Sequence, residues 1–370
     1  MMNQRKRVAV IFGGRSGEHI VSLRSASSIM EAIDQEKYEI VPVGINRDGS
    51  WLTGPDAWFS LWENRRPEKA STAVMVTDPT RPGLLIKSSE KANGWVFETI
   101  DLVFPVLHGT CGEDGTIQGL FEMAGLPYVG SGVLASSTGM DKAVMKVLFK
   151  EAGLPVVPHL VLYREQWLSH QGMWLDQVQE EIGYPAFVKP ANLGSSVGIS
   201  KAYDSQALIA AVEEALLYDH KLLIEQHVEG REIECGVIGN REVTASRPGE
   251  VIPCNDFYDY RAKYLDDRSG LVVPVELGSD LENKIKEYSV RAFQAIEAAG
   301  LARVDFFLNR SDQSVIVNEI NTLPGFTNIS MYPKMFAASG LKYSALVDRL
   351  LELAVERHQY RQSLLSAPPE

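Results

Sequence analysis

Cysteine is scarce in this chain of 370 residues: only Cys111, Cys235 and Cys254 occur, and none forms a CxxC pair. An odd count without paired spacing excludes a disulfide framework or a zinc ribbon. Long apolar runs are also missing. The apolar run at 8–12 follows a basic start but stops at Gly13-Gly14, short of the roughly 7–15 residues of a secretory core segment. No stretch approaches the ~18 apolar residues that cross a bilayer. Positive charge is in deficit, with 36 Lys and Arg against 48 Asp and Glu and a net charge of −12. That balance argues against nucleic-acid or membrane-surface partners, which require a basic face. It leaves room for a local basic pocket that takes a polyanion. With 30 Gly and 18 Pro, the composition excludes disordered and collagen-like classes. A soluble, cytoplasmic protein of two or three domains is expected, at about one domain per ~150 residues.

What is present has α/β order. Apolar, β-rich runs lie at 8–12, 40–44 and 102–107, and the first leads through a glycine turn into a helix. On that helix Ile20, Leu23, Ala26, Met30 and Ile33 recur at three- and four-residue spacing, so parallel βαβ units are predicted. Residues 51–94, rich in turn formers and charge, read as a surface excursion. A small, polar stretch at 130–139 precedes a helix starting at Asp141. Then come a strand at 186–189, a loop at 194–198, a helix at 205–217 and a strand at 222–226. Beyond Glu229-Gly230 lie strands at 232–238, 303–308 and 315–319, with helices near 281–299 and 343–357. The expected fold class is α/β in three modules: 1–140 with a parallel sheet, then 141–230 and 231–370.

Several segments carry chemistry. In Arg303-Val-Asp305 and Asn318-Glu319-Ile-Asn321, strand alternation puts Arg303 with Asp305 and Glu319 with Asn321. Antiparallel pairing of the two strands would converge two carboxylates, an amide and a guanidinium, a hard-oxygen set suited to Mg²⁺. A half-exposed hairpin with a surface salt bridge would read the same way. The next loop, 322–330, contains Gly325 and Ser330, which can offer a backbone N–H and a hydroxyl to an anion. Lys189 precedes Gly194-Ser195-Ser196-Val-Gly198, a loop able to cradle phosphate although it is neither a Walker A loop nor a dinucleotide fingerprint. Lys142, Lys146 and Lys150 form one helical stripe; Lys142 reads as a phosphate ligand, and Lys146 and Lys150 as a solvated basic face. Glu225-Gln226-His227-Val228 closes a strand and Glu232 follows, a weak candidate for a base and a sugar. Glu18 and the turn from His108 to Gly115 follow strands of one sheet, where open α/β sheets bind ligands.

Taken in order, the glycine turn 13–22, Leu107-His108-Gly109, Asp141-Lys142, Lys189-Pro190, the 194–198 loop, Tyr260-Arg-Ala-Lys263-Tyr264, Arg303-Val-Asp305 and Asn318-Glu319-Ile-Asn321-Thr-Leu-Pro-Gly325 resemble the D-alanine–D-alanine ligase family. The resemblance implies the ATP-grasp fold, with an N-terminal parallel-sheet domain and two α+β domains enclosing the nucleotide. It implies that Glu18 holds the ammonium of the first D-alanine, in a triad with Ser195 and Tyr264. His108, Arg303 and Ser330 would contact substrate, and Arg303 with the Gly325 N–H would form the oxyanion site. Lys142, Lys189, Ser195, Ser196 and Lys263 would bind ATP phosphates, and Glu225 to Val228 with Glu232 the adenosine. Asp305, Glu319 and Asn321 would hold two Mg²⁺ or Mn²⁺ ions. Residues 255–270 would be a lid, and Tyr264 points to a dipeptide rather than a depsipeptide product. A homodimer is expected on the same ground. Three rival readings use fewer of these features: another ATP-grasp ligase, a nicotinamide dehydrogenase and a non-catalytic nucleotide-binding module.

Overall fold

The computed structural model describes residues 5–64, 70–87, 94–194, 197–252 and 270–365. They build three sheets. The first involves β1 (Lys6–Gly13), α1 (His19–Ala32), β2 (Tyr38–Ile45), β3 (Trp51–Thr53), α2 (Ala57–Trp62), β4 (Ser71–Val76), β5 (Gly83–Lys87), β6 (Trp95–Thr99), β7 (Leu102–Val106), α3 (Thr116–Met123) and α4 (Val133–Met140). β1 pairs in parallel with β2 and with β7. A strand so placed is covered on both faces, which is why it is apolar without alternation. Val8, Val10 and Phe12 meet Leu23, Ala26 and Ile29 of α1, whereas Ala9 and Ile11 meet Ile117 and Phe121 of α3.

Residues 51–94 are not a surface excursion. β3 to β6 continue the sheet as an antiparallel meander in the order β6-β5-β4-β3-β2-β1-β7. Met75 and Leu84 join the same core as Ile11 and Val43. The turn-rich composition belongs to the meander's connections. Only the β2, β1, β7 portion is parallel.

The second sheet follows α5 (Lys142–Glu151) and contains β8 (His159–Tyr163), β9 (Ala186–Pro190), β10 (Ser200–Ala202) and β11 (Lys221–Gln226), backed by α6 (Arg164–Glu181) and α7 (Ser205–Ala215). Ala186, Val188, Leu222 and Ile224 pack onto those two helices. Strand alternation therefore turns Phe187, Lys189, Leu223 and Glu225 to the opposite face.

The third sheet contains β12 (Gly230–Gly239), β13 (Val243–Ala245), β14 (Gly249–Ile252), β15 (Gly270–Val272), β16 (Gly300–Asn309) and β17 (Val315–Asn321), with α8 (Ser279–Ala295), α9 (Met331–Ala338) and α10 (Tyr343–Gln362). Ile233, Cys235, Val304, Phe306 and Val317 pack toward Ile285 and Phe293 of α8. The alternate residues Glu232, Glu234, Arg303 and Asp305 thus face away from that core. α10 returns to the first sheet, burying Leu346, Leu350 and Leu351 in the core beside β7 and α1. Burial of each such side chain contributes about 1.5–3 kcal/mol. Among the described residues no helix is long and apolar enough to cross a membrane.

α5 lies in the seam between the second and third sheets. Its Ala143 packs with Leu223 and Ala191, and its Met145 and Phe149 join the third sheet's core. Asp141 caps it, accepting hydrogen bonds from the Ala143 and Val144 N–H groups at 3.1 Å each, a device worth about 1 kcal/mol.

Candidate active site

The cleft between the second and third sheets holds a cavity of about 550 Å³ lined by Phe187, Lys189, Glu225, Glu232, Arg303, Asp305 and Glu319, among others. The hairpin of β16 and β17 forms one wall. Arg303 pairs with Asn321 and Asp305 with Glu319, and the register then slips so that Phe306 pairs with Val317. Asn318 is the extra residue, a β-bulge. The bulge has a consequence for the site. Val315 and Val317 point into the core, and unbroken alternation would send Glu319 there too. With Asn318 inserted, Ile320 takes the core position and Glu319 emerges beside Asp305. The spacing of Glu319 and Asn321 correctly predicts a shared face, but the bulge is what aims that face at the cleft.

Arg303 is gripped by two acids. Its Nε and a terminal N–H donate to the two Asp305 carboxylate oxygens at 2.7 Å each, and its Nε lies 3.2 Å from Glu234 Oε2. Burial by itself would lower the guanidinium's affinity for its proton, but Asp305 and Glu234 hold it well above the ordinary value. Glu234, directly opposite Asp305 on β12, was not among the sequence-predicted residues. Alternation with Glu232 was the signal that could have found it.

The other wall is the reverse. Glu225, at the end of β11, lies 3.0 Å from the ammonium of Lys146 and 2.6 Å from that of Lys189. Burial alone would push its carboxyl up, yet Lys146 and Lys189 pull it down to about 2. Lys189 is held above its ordinary value by Glu225, against the effect of burial. Lys146 is lowered, because burial outweighs Glu225 there. The expectation of a solvated Lys146 is therefore overturned: its side chain is 1% exposed, because α5 is sandwiched between two sheets. Lys150 is exposed, as its stripe suggested. Lys142 donates to the Leu193 carbonyl at 2.7 Å and lies 3.7 Å from Glu319 Oε2, so it spans the seam between the phosphate-type loop and the carboxylate hairpin.

Gln226, His227, Val228 and Glu232 line the cavity beyond Glu225. The His227 ring sits 5.7 Å from Phe187; burial lowers its pKa. Phe187 and Phe307 stand on the two walls, an apolar slot for a flat ring.

Glu18 and His108 form a second group at the rim of the first sheet. Gly13 has φ +92, and a Cβ there would lie 2.2 Å from the Ile45 carbonyl oxygen, so only glycine makes this turn. Gly109 has φ +75, and a Cβ there would lie 2.7 Å from Glu18 Oε2. Glu18 is buried, and a Cβ on Gly194 would sit 3.6 Å from the same oxygen, so its carboxylate reaches the 194–198 loop. Ser195, Ser196, Lys263, Tyr264 and the 255–269 part of the expected lid lie outside the described residues.

His108 Nδ1 lies 3.1 Å from the Leu323 carbonyl and Nε2 lies 3.4 Å from Ser25 Oγ. A carbonyl only accepts, so Nδ1 carries the proton; burial lowers the ring's pKa and keeps it neutral. His108 thus anchors the 322–325 loop, with both nitrogens engaged inside the protein. Ser25 Oγ also accepts from the Phe326 N–H at 3.4 Å. Ser330 Oγ lies 2.7 Å from Thr327 Oγ1, and a Cβ on Gly325 would lie 3.5 Å from it, which puts those two predicted residues together. Glu113 belongs to the 108–115 turn but was not singled out by the sequence analysis. It accepts from the Gly109 N–H at 2.6 Å, and burial, with Glu18 nearby, pushes its carboxyl well above the usual range.

Among the described residues no three histidine, cysteine or acidic side chains surround a metal-sized point. Asp305, Glu319 and Asn321 offer two carboxylates and an amide oxygen from neighbouring positions of one hairpin. Asn321 Oδ1 is oriented by the Leu323 N–H at 3.0 Å. This hard-oxygen donor set fits Mg²⁺ or Mn²⁺.

Known proteins share this architecture. The chain is 48% identical to a D-alanine–D-alanine ligase of Heliobacterium modesticaldum over 97% of both chains. It is 47% identical to one of Ruminiclostridium cellulolyticum over 96% of both. Among solved structures, the VanG D-Ala:D-Ser ligase from Enterococcus faecalis is similar at 36% identity and a TM-score of 0.85, covering 95% of this chain and 100% of that one. The D-alanine-D-alanine ligase from Coxiella burnetii is similar at 35% identity and a TM-score of 0.82, covering 98% and 97%. Family models described as the D-ala D-ala ligase N-terminus and C-terminus match residues 7–131 and 148–352. Relatives at nearly half identity along almost the whole length, with both family halves in order, show that the chain belongs to the D-alanine–D-alanine ligase family.

Proposed function

We propose that this protein joins two D-alanine molecules into D-alanyl-D-alanine, a peptidoglycan precursor, at the expense of ATP, releasing ADP and phosphate. The observation that carries the reading is the pair of opposed walls: Lys142 lies 3.7 Å from Glu319, with Lys189 and Arg303 lining the same cavity. Cations that suit phosphate and acids that suit a divalent cation meet where a triphosphate would lie.

The chemistry follows from that charge arrangement. A carboxylate is a poor electrophile, so the γ-phosphoryl group passes to the first D-alanine carboxylate, forming an acyl phosphate and ADP. Lys142 and Lys189 bind phosphate oxygens and lower the repulsion the incoming carboxylate meets. Glu18 holds the first ammonium. The second amine attacks the acyl carbon, Arg303 and the Gly325 N–H hold the tetrahedral oxyanion, and collapse expels phosphate; loss of one such donor costs roughly 10²–10³ in rate. Asp305, Glu319 and Asn321 would hold Mg²⁺ or Mn²⁺, two ions on the family resemblance, whose charge neutralises phosphate oxygens. Glu225 to Val228 and Glu232 hold adenosine, Ser330 the second carboxylate, and 255–270 shields the acyl phosphate from water. On this reading 1–140 binds substrate, and 141–230 and 231–370 close on ATP. A homodimer and a cytoplasmic location belong to the same reading and rest on family membership alone.

A coupled ADP-release assay over a panel of amino acids, with product mass determination, tests it. D-alanine with Mg²⁺ and ATP is expected to give ADP and the D-alanyl-D-alanine dipeptide. Equal turnover with L-alanine rejects the substrate assignment. A mixed product formed preferentially with D-serine moves the protein toward the VanG-like specificity.

A further inference from the structure

Lys146 has no part in the activity as described above, yet it occupies the seam between the two walls. Its side chain, like that of Glu225, is 1% exposed. The ammonium lies 3.0 Å from Glu225 Oε1 on β11 and donates to the Asn318 carbonyl on β17 at 3.0 Å. Glu225 passes its other oxygen to Lys189 at 2.6 Å. Asn318 is the bulged residue that turns Glu319 to the cleft. One side chain therefore touches the carboxylate that orients a phosphate-type lysine and the backbone kink that aims a metal-type acid. It does so from α5, one helical turn after Lys142, which meets Glu319 from the same helix.

We propose that Lys146 is a positioning residue, a strut that sets the spacing between Lys189 on the second sheet and Glu319 on the third. The inference rests on the ATP-dependent ligase reading and adds to it a residue that touches neither substrate. A bulge leaves one backbone group outside the ladder, and the half-buried Asn318 carbonyl there takes its hydrogen bond from Lys146. Removing Lys146 leaves Glu225 and Lys189 as a neutral pair, so the cationic wall loses its excess charge while the bulge loses its donor. Both the nucleotide and the divalent cation should then be felt to bind less well. The first D-alanine, whose ammonium belongs at Glu18, should not.

The test uses the full chain and Lys146→Met, which keeps the length and removes the charge. The KM for ATP and the Mg²⁺ concentration for half-maximal rate are expected to rise about tenfold, the lower end of what loss of a supporting contact costs, while the KM for the first D-alanine stays within about twofold. The rise in Tm on adding ADP with Mg²⁺, a readout independent of turnover, should shrink. A folded variant with unchanged ATP and Mg²⁺ dependence, or with all three dependences weakened alike, overturns the proposal. If Lys146→Met does not fold, Lys146→Gln takes its place; it keeps an N–H for Asn318 but no charge for Glu225, and a KM for ATP equal to that of the unaltered protein overturns the proposal. Failure of the unaltered protein to form dipeptide, with the ADP–Mg²⁺ Tm shift still dependent on Lys146, rejects the ligase reading and leaves the strut standing.

Discussion

Two largely buried charge clusters face each other across the cleft, and they are built in opposite senses. On the third sheet one cation, Arg303, sits between Asp305 and Glu234. On the second sheet one anion, Glu225, sits between Lys146 and Lys189. Each cluster satisfies its central group and carries an excess of the outer sign. On the proposed reading the anionic wall, with Glu319 beside it, takes a divalent cation and the cationic wall takes phosphate. A metal-bound triphosphate then lies between the two walls. The energetic logic is that a buried charge is tolerated only when paired, and each central group here has two partners of opposite sign.

The comparison can be broken from either side. The largest effect is expected from Glu319→Ala, which removes the acid the bulge presents: turnover with D-alanine should fall by more than about 100-fold, with an unchanged far-ultraviolet circular dichroism spectrum. A fully active variant would show that the anionic wall holds no metal. Next comes Arg303→Lys, which keeps the charge but loses the planar fork that engages both Asp305 oxygens. Its kcat should fall roughly 10²–10³-fold, with the KM for ATP much less affected; a change confined to that KM would move Arg303 out of the oxyanion role.

The smallest effect is one of pH. Glu225 has its carboxyl pulled down to about 2 from an ordinary 4.5. A depressed carboxyl contributes stability that is fully present above its unfolded value and is lost as pH falls through the folded one. The unaltered protein should therefore lose this contribution as pH falls from 4.5 toward 2. Glu225→Gln should be less stable at neutral pH but flatter across that window, as measured by denaturant unfolding at stepped pH. Equal slopes would mean that the two lysines do not grip Glu225 in solution.

The two walls also differed in how well they could be read. The anionic wall was largely legible: Arg303 with Asp305, and Glu319 with Asn321, follow from strand alternation and short-range pairing. The cationic wall was legible only in part: Lys142 and Lys189 read as phosphate ligands, but the clasp of Lys146 on Glu225 did not show. A stripe of lysines four apart reads as a wet helix face, and nothing local says that α5 is covered by two sheets. Residues 51–94 misled for a related reason, since turn-rich text is common to exposed loops and to a meander whose strands are short. Glu113 carried no periodic signal at all.

From sequence alone came many of the element types outside 51–94, the parallel start of the first sheet, the hairpin with its carboxylates and the ordered motifs of the family. These depend on interactions between residues near in sequence, or on patterns repeated along one strand or helix. Only the tertiary structure decided that Lys146 is buried, that Glu225 is clasped by two ammoniums, that His108 anchors the 322–325 loop and that a bulge at Asn318 turns Glu319 outward. Each of those depends on what another element places against the residue, and burial and electrostatics are properties of that neighbourhood rather than of the residue's own position in the chain.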